Sequence, residues 1–245
     1  MLGALAAGLA TGSSLIIGGL AALLREPRER TLGLIMAFGA GVLLSAVAYN
    51  LVLEARAVSG GTGIALGIAA GALTFFVGDR FIDRAGGGKR KSVRKEEDVG
   101  SPKAIVLGTV LDGVPESIVV GLTLLAGEGV SAALFAAVFL SNLPEAMAAT
   151  SGLAASGVRG GRIMAMWGLV TALSGIAALA GYGLLGDAPP AVVAFVLAFA
   201  AGAVLTMLAD TMMPEAFEHA RLVAGLATTF GFVVAFAIAQ LEAAD

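Results

Sequence analysis

Eight apolar segments, each long enough to cross a bilayer as a helix, constrain this chain more than any other feature of its sequence. A hydrocarbon core about 30 Å thick needs roughly 20 residues of helix. Of the 245 residues, 58% are hydrophobic and only 13% are charged, whereas soluble domains have about 25% charged residues. The sequence therefore predicts an all-α membrane protein whose spans cover residues 2–24, 31–53, 62–82, 103–125, 130–154, 163–185, 191–213 and 222–241.

The connections between the spans are short, except for one. We predict a single transmembrane domain, residues 1–245, with a flexible loop at 83–102 that contains three consecutive glycines and a mixed run of charges. All of the 15 lysines and arginines except Arg56 fall on the same side of the eight spans as this loop. Because positive charge collects on the cytoplasmic side of membrane proteins, we expect a cytoplasmic loop and two extracytoplasmic termini. The first segment has no positively charged leader, so we expect it to be a retained span.

Two stretches of the chain are similar to each other. Residues 38–55 (FGAGVLLSAVAYNLVLEA) and residues 199–216 (FAAGAVLTMLADTMMPEA) are identical at seven of 18 positions. They lie on spans two and seven, which cross the membrane in opposite directions, so the repeat is inverted. We predict that spans 1–3 are related to spans 6–8, with spans 4 and 5 central. Inverted repeats of this kind are typical of secondary transporters.

Spans four and five each carry a proline followed directly by a glutamate in the middle of an apolar segment. One acid at the centre of a membrane helix costs roughly 2.5–3.5 kcal/mol. Each proline also removes the helical donor of the carbonyl group four residues before it. Two matching copies of such a costly arrangement favour a polar site over two unrelated kinks. The motifs are Asp112-Gly113-Val114-Pro115-Glu116 and Ser141-Asn142-Leu143-Pro144-Glu145.

The spacing within these motifs predicts a cation site near the midplane. Residues four apart share one helix face, as do Asp112 and Glu116 on span four and Ser141 and Glu145 on span five. At 1.5 Å per residue, both glutamates lie roughly 20 Å into their spans. Oxygen ligands suit hard or borderline divalent ions, and an excess of carboxylates over ion charge predicts pH-dependent binding. The predicted ligands are Asp112, Glu116, Ser141, Asn142 and Glu145, with the helix-breaking residues Pro115 and Pro144 between them.

Polar residues near the ends of the repeated segments are candidates for a cation pathway or gate. The alternative is that interfacial acids only end helices in the water of the headgroup region. We interpret His219, the one histidine, as a surface residue. The chain has no cysteine, no phosphate-binding loop and no nucleophile–histidine pairing within the spans, so we expect no enzymatic activity, no resident cofactor and no nucleic-acid partner. The pathway candidates are Asn50, Glu54, Asp210, Thr211 and Glu215.

The motifs and the layout of the spans resemble those of the Zrt/Irt-like protein (ZIP) family of metal transporters. In that family span four carries His-Asn-x-Pro-Glu-Gly, and one bacterial branch carries Gln-Asn-x-Pro-Glu-Gly on span five. The matching residues here are Pro115, Glu116, Asn142, Pro144 and Glu145. The departures are Asp112 in place of histidine, Gly113 in place of asparagine, and Ser141 in place of glutamine or histidine.

The resemblance implies that a divalent metal ion is taken into the cytoplasm by alternating access, in a bacterial plasma membrane. Zinc is the typical ion of the family, but the missing histidine leaves manganese and iron open, and Gly113 implies one metal site where relatives have two. The expected partners are the lipid bilayer, the metal ion as substrate and, as an option, a second copy of the chain in a homodimer. Two other functions stay open: a transport-inactive relative that senses metal or binds a partner, and a proton-linked carrier of a non-metal substrate.

Overall fold

The computed structural model describes residues 1–84, 102–126 and 131–242, and the predicted loop at 83–102 lies almost entirely outside these ranges. Within them, eight helices are long and apolar enough to cross a membrane, and no residue is in a β-strand. The predicted all-α class with eight spans is therefore confirmed, and the chain is an integral membrane protein. The helices are α1 (Leu2–Leu24), α2 (Glu29–Val58), α3 (Thr62–Ile82), α4 (Pro102–Thr123), α5 (Ala132–Ala155), α6 (Gly160–Leu185), α7 (Pro190–Ala220) and α8 (Val223–Glu242).

Helices α2 and α7 are longer than the sequence predicted. They contain 30 and 31 residues, which corresponds to about 45 Å at 1.5 Å per residue and exceeds a hydrocarbon core of about 30 Å. The sequence prediction ended both spans too early, because Glu54 and Glu215 lower the hydropathy of the last turns, although the helices continue through them. Both acids consequently lie within helices and not at the helix ends.

Each of these two long helices is interrupted by one π-helical segment, at matching places in the repeat. The segments are Val47–Val52 in α2 and Leu208–Met212 in α7. The N–H group of Leu53 donates to the carbonyl oxygen of Ala48, and that of Met213 donates to Leu208, five residues back in both cases. Single π-helical turns inside α-helices occur frequently at functional sites.

Glycine residues bring α2 against α8 and α7 against α3 in the same way. A Cβ atom at Gly41 would overlap the carbonyl oxygen of Thr228, and a Cβ atom at Gly202 would overlap that of Ile68. Small residues of this kind let helix backbones approach closely in a membrane. Since Gly41 and Gly202 occupy the same position in the repeat, the pairs α2–α8 and α7–α3 are equivalent. This packing agrees with the predicted relation of spans 1–3 to spans 6–8.

Helices α4 and α5, which carry the two proline–glutamate motifs, occupy equivalent places between the halves of the bundle. Helix α5 packs against α1 and α2, and α4 packs against α6 and α7. A Cβ atom at Gly18 of α1 would overlap the carbonyl oxygen of Leu143, and one at Gly181 of α6 would overlap that of Ile118. Both contacts lie beside a proline–glutamate motif. The fold therefore holds each motif against a different set of neighbouring helices.

Candidate metal site

All five predicted metal ligands are buried inside the bundle. The exposed fraction is 3% for Asp112, 4% for Glu116, 1% for Ser141, 5% for Asn142 and 3% for Glu145. Acidic side chains are rarely buried to this extent unless a partner, a proton or a metal ion compensates the loss of hydration. The burial of both motifs favours polar sites over two unrelated kinks, since chance kinks would more readily turn their acids to the surface.

The kink in α5 is packed tightly. Pro144 cannot donate a hydrogen bond to the carbonyl oxygen of Leu140, and Gly39 of α2 lies against this point. A Cβ atom at Gly39 would lie 3.2 Å from the oxygen of Leu140 and 3.3 Å from the Cα atom of Ser141. The same atom would lie 3.3 Å from Cε of Met212, which belongs to the π-helical segment of α7. The α5 motif is thus enclosed by α1, α2 and the π-helical turn of α7.

The α4 motif, by contrast, has room beside it. Gly113 is buried, yet a Cβ atom added there would meet no heavy atom of the described residues within 4 Å, counted without its own backbone neighbours. Buried space that adjoins polar groups can hold water or an ion, and here the neighbouring residue is Asp112. Sequence reasoning identified Gly113 as a lost amide but missed that its absent side chain leaves space.

Two buried hydroxyl groups donate back to their own helices. Ser141 Oγ donates to the carbonyl oxygen of Val138 at 3.0 Å, and Ser117 Oγ donates to that of Gly113 at 2.7 Å. Because the hydroxyl proton is used in this way, the oxygen of Ser141 can offer only lone pairs to a neighbour, as a metal ligand must. Ser117 was not among the predicted residues, although its place beside Glu116 in the motif could have suggested it.

The three motif carboxylates do not form a ready-made metal centre. Among the residues that the structure describes, no group of three or more His, Cys, Asp or Glu side chains is arranged to hold a metal ion. The expected convergence of Asp112, Glu116 and Glu145 on one point is therefore not met in this conformation. The physical reason lies in the packing, because α4 contacts α6 far more extensively than it contacts α5. Depth along a helix, which the sequence gives, does not determine the lateral separation of two helices.

The predicted pathway residues lie in unlike environments. Glu215 is 8% exposed, whereas Asp210 is exposed. Asn50, Glu54 and Thr211 are half-buried. Thr211 Oγ1 donates to the carbonyl oxygen of Met207 in its own helix at 2.7 Å. The structure thus places one of the two repeat-related glutamates, Glu215, well inside the protein.

His219, interpreted from the sequence as a surface residue, lies at one end of the bundle. It is half-buried, and a Cβ atom at Gly33 of α2 would lie 2.6 Å from its own Cβ atom. His219 lines an open groove together with Arg30 and Arg221. This groove lies at the end of the bundle opposite the termini and is separate from the α4 and α5 motifs.

No family model matches the chain, but the chain is similar to a curated protein. The relative is a protein of Arabidopsis thaliana named "Putative zinc transporter", which is 27% identical over 191 residues. The aligned part covers 77% of this chain but only 30% of the relative. The chain therefore spans less than a third of the length of the plant protein that it matches.

Proposed function

We propose that this protein carries a divalent metal cation across the membrane into the cytoplasm, through the buried polar region of α4 and α5. The observation that carries the proposal is the burial of Asp112, Glu116 and Glu145 at two proline-containing helix centres, one of them beside open space at Gly113. The similarity to a plant protein named "Putative zinc transporter", over 77% of the chain, supports a metal ion as the cargo.

The donor set defines the class of ion. Carboxylate, amide and hydroxyl oxygens suit hard or borderline divalent ions, so we propose zinc first, with manganese and iron as the other candidates. Asp112 and Glu116 would bind from α4, and Ser141, Asn142 and Glu145 would bind from α5. The metal ion is substrate here, and the proposal includes no resident cofactor and no enzymatic step.

Metal binding and helix movement are coupled in this proposal. Among the described residues, no three acidic side chains are arranged to hold a metal ion, so an ion held by both motifs requires the motif side chains to rearrange around it. A ligand shifts a protein toward the state that it binds more tightly. Occupation of the site would thus draw the motif side chains of the two helices together, and this change would be one step of alternating access.

The proposed setting is the plasma membrane of a bacterium, with both termini outside. The distribution of lysine and arginine supports this orientation. Uptake then means movement from the side of the termini to the side of the long loop. One chain contains both motif helices, so the proposal needs no second copy for the site itself.

Metal uptake into proteoliposomes tests the proposal. Purified protein is reconstituted, and zinc, manganese and iron uptake are measured for the parent and for Glu116→Gln and Glu145→Gln. We expect each substitution to lower uptake at least about tenfold, which corresponds to about 1.4 kcal/mol. Glu26→Gln is the matched control, because Glu26 is an exposed acid in the connection between α1 and α2; its uptake should equal that of the parent.

Other outcomes select the alternatives. Metal binding without uptake would favour a sensor or partner-binding protein, and proton movement without metal binding would favour a carrier of another substrate. Uptake that is unchanged in both glutamate variants would overturn the assignment of the site.

A further inference from the structure

A hydrogen-bonded network joins three helices at the end of the bundle that carries both termini. Asn50 of α2 donates from Nδ2 to Ser131 Oγ at 2.9 Å, and Ser131 Oγ donates to Glu242 Oε2 of α8 at 2.9 Å. The backbone N–H groups of Ala132 and Ala133 also donate to the Glu242 carboxylate, the second at 3.5 Å. The first residues of α5 are thereby tied to the last turn of α8 and to α2.

Ser131 is the centre of this network. Its hydroxyl oxygen accepts from Asn50 and from the N–H group of Leu134, the latter at 3.3 Å, and it donates to Glu242. A hydroxyl group has one donor and two acceptor positions, so all three are used. Ser131 is at the same time the N-cap of α5, a position that favours serine.

Glu242 is placed at the wrong end of its own helix for its charge. A carboxylate near a helix C-terminus is unfavourable, whereas one near an N-terminus is favourable because of the helix dipole. Glu242 ends α8 but lies against the first turn of α5, where the free N–H groups of Ala132 and Ala133 receive it. Its position is therefore explained by α5 and not by α8.

The helices that α5 is tied to form a rigid pair. A Cβ atom at Gly231 of α8 would overlap the carbonyl oxygen of Phe38 in α2, and the ring of Tyr49 lies 5.0 Å from that of Phe236 between centroids. Helix α5 itself carries half of the proposed metal site. Movement of the outer half of α5 away from α2 and α8 would thus require the bonds of Ser131 to break.

We propose that Asn50, Ser131 and Glu242 form a latch that holds this end of the bundle closed. The inference rests on the proposed transport function, since closing and opening of one end has meaning only for a substrate that passes through. In this proposal Asn50 does not contact the ion directly. Asn50 positions α5 through its hydrogen bond to Ser131. Release of the latch admits the cation from the side of the termini.

The cysteine-free sequence allows a direct test by thiol labelling, which needs no metal transport. The reporter is Ala137→Cys, because Ala137 is 0% exposed and lies about 9 Å along α5 from Ser131. Ser131→Asp is the opening variant, since aspartate keeps the N-cap but repels the Glu242 carboxylate. A membrane-impermeant maleimide applied from the side of the termini should label the reporter at least about tenfold faster in this variant than in the parent, as expected for a shift toward an open state.

Removal of the Glu242 charge distinguishes a latch from simple damage. In the double variant Ser131→Asp/Glu242→Gln, the amide can donate to the new carboxylate, so labelling should return close to the parent rate. Asp187→Asn, an exposed acid at the same end of the bundle, is the matched control and should change nothing. A second reporter, Ala220→Cys at the opposite end, where the parent residue is 4% exposed, should stay unlabelled.

Three outcomes would overturn the latch: equal labelling of Ser131→Asp and the parent, failure of Glu242→Gln to restore protection, or parallel labelling of both reporters, which would indicate unfolding. Failure of the transport proposal is a separate result. It would appear as absent metal uptake in the parent, whatever the labelling rates are.

Discussion

The two proline–glutamate motifs share one pattern, but α5 and α4 surround it differently. In α5 the backbone at the kink lies directly against glycines of α1 and α2, Gly18 and Gly39. In α4 the corresponding region contains Gly113, which is buried but has no described atom within 4 Å of the place where a Cβ atom would be. Both motifs are thus packed against a glycine of a neighbouring helix, but the α4 motif has room at one position, Gly113.

This difference indicates a division of roles within the site. A closely packed motif keeps its ligands in one geometry, because packed interiors do not deform continuously. A motif beside free space can admit an ion with some of its water and can move when the ion binds. We infer that α5 provides the fixed ligands and that α4 provides the adaptable ones.

Filling the space in α4 should have the largest effect. In Gly113→Leu the added side chain occupies the room beside Asp112, and we expect metal uptake to fall at least about 100-fold, or about 2.7 kcal/mol, while the protein still folds. The matched control is Gly225→Leu, because Gly225 lies on an exposed face of α8 and a Cβ atom there also meets nothing within 4 Å. Equal uptake by the two leucine variants would show that the space at Gly113 is not part of the pathway.

Alanine substitutions beside the two motifs should differ in their effect on the free energy of unfolding. A Cβ atom at Gly18 would overlap the carbonyl oxygen of Leu143, so Gly18→Ala should destabilise the fold by about 1–3 kcal/mol, as overpacking does. Gly113→Ala should be neutral or stabilising by up to about 1 kcal/mol, because alanine is the better helix former. Denaturant unfolding in detergent measures both. The comparison fails if the two alanine variants lose the same stability.

Metal affinity should depend on pH, with a moderate effect. Several carboxylates near one divalent ion carry more negative charge than the ion balances, so protons and metal compete for them. We expect affinity to rise several-fold from mildly acidic to neutral pH and protons to be released on binding, both measurable by titration calorimetry in buffers of different ionisation enthalpy. A flat profile would contradict the prediction. Repeating the titration with Glu116→Gln and Glu145→Gln shows whether the proton released on metal binding comes from the carboxyl group on α4 or from the one on α5.

The smallest expected effect is a difference in metal affinity between alanine variants of Ser141 and Ser117. Ser141 shares a helix face with Glu145, four residues away, whereas Ser117 is turned about 100° from Glu116 on α4. Ser141→Ala should therefore weaken metal binding a few-fold through loss of one oxygen ligand, and Ser117→Ala should leave it nearly unchanged. Equilibrium dialysis with the metal ion compares the two variants. A larger loss of metal affinity in Ser117→Ala than in Ser141→Ala would indicate that Ser117, and not Ser141, is the oxygen ligand.

The sequence predicted the number of spans and the burial of both motifs because these depend on local composition. An apolar segment of about 20 residues has few alternatives to a membrane helix, and acids at its centre must face inward. The inverted repeat was also visible, since seven identities in 18 positions include Gly41 and Gly202, which the structure places at equivalent helix contacts.

Other features could not be predicted, because they depend on tertiary contacts. The space at Gly113 depends on which helices pass that point, and the sequence contains no measure of the lateral distance between α4 and α5. The bond between Ser131 and Glu242 joins residues 111 positions apart, so no local pattern indicates it. The π-helical segments leave no signal either, because the surrounding turns are apolar on most faces and show no clear period.

The π-helical turns have a consequence for how the ends of α2 and α7 are oriented. One additional residue in a turn rotates everything beyond it by about 100° relative to a continuous α-helix. Beyond the extra residue in α7, the side chain of Glu215 lies inside the protein, although that of Asp210 within the π-helical turn is exposed. Removal of a single residue between 208 and 212 would restore an ordinary α-helix of nearly the same length. The residues after the deletion, Glu215 included, would then be rotated to a different face of the helix. The direction in which the side chains of Glu54 and Glu215 point is thus set by one inserted residue in each helix.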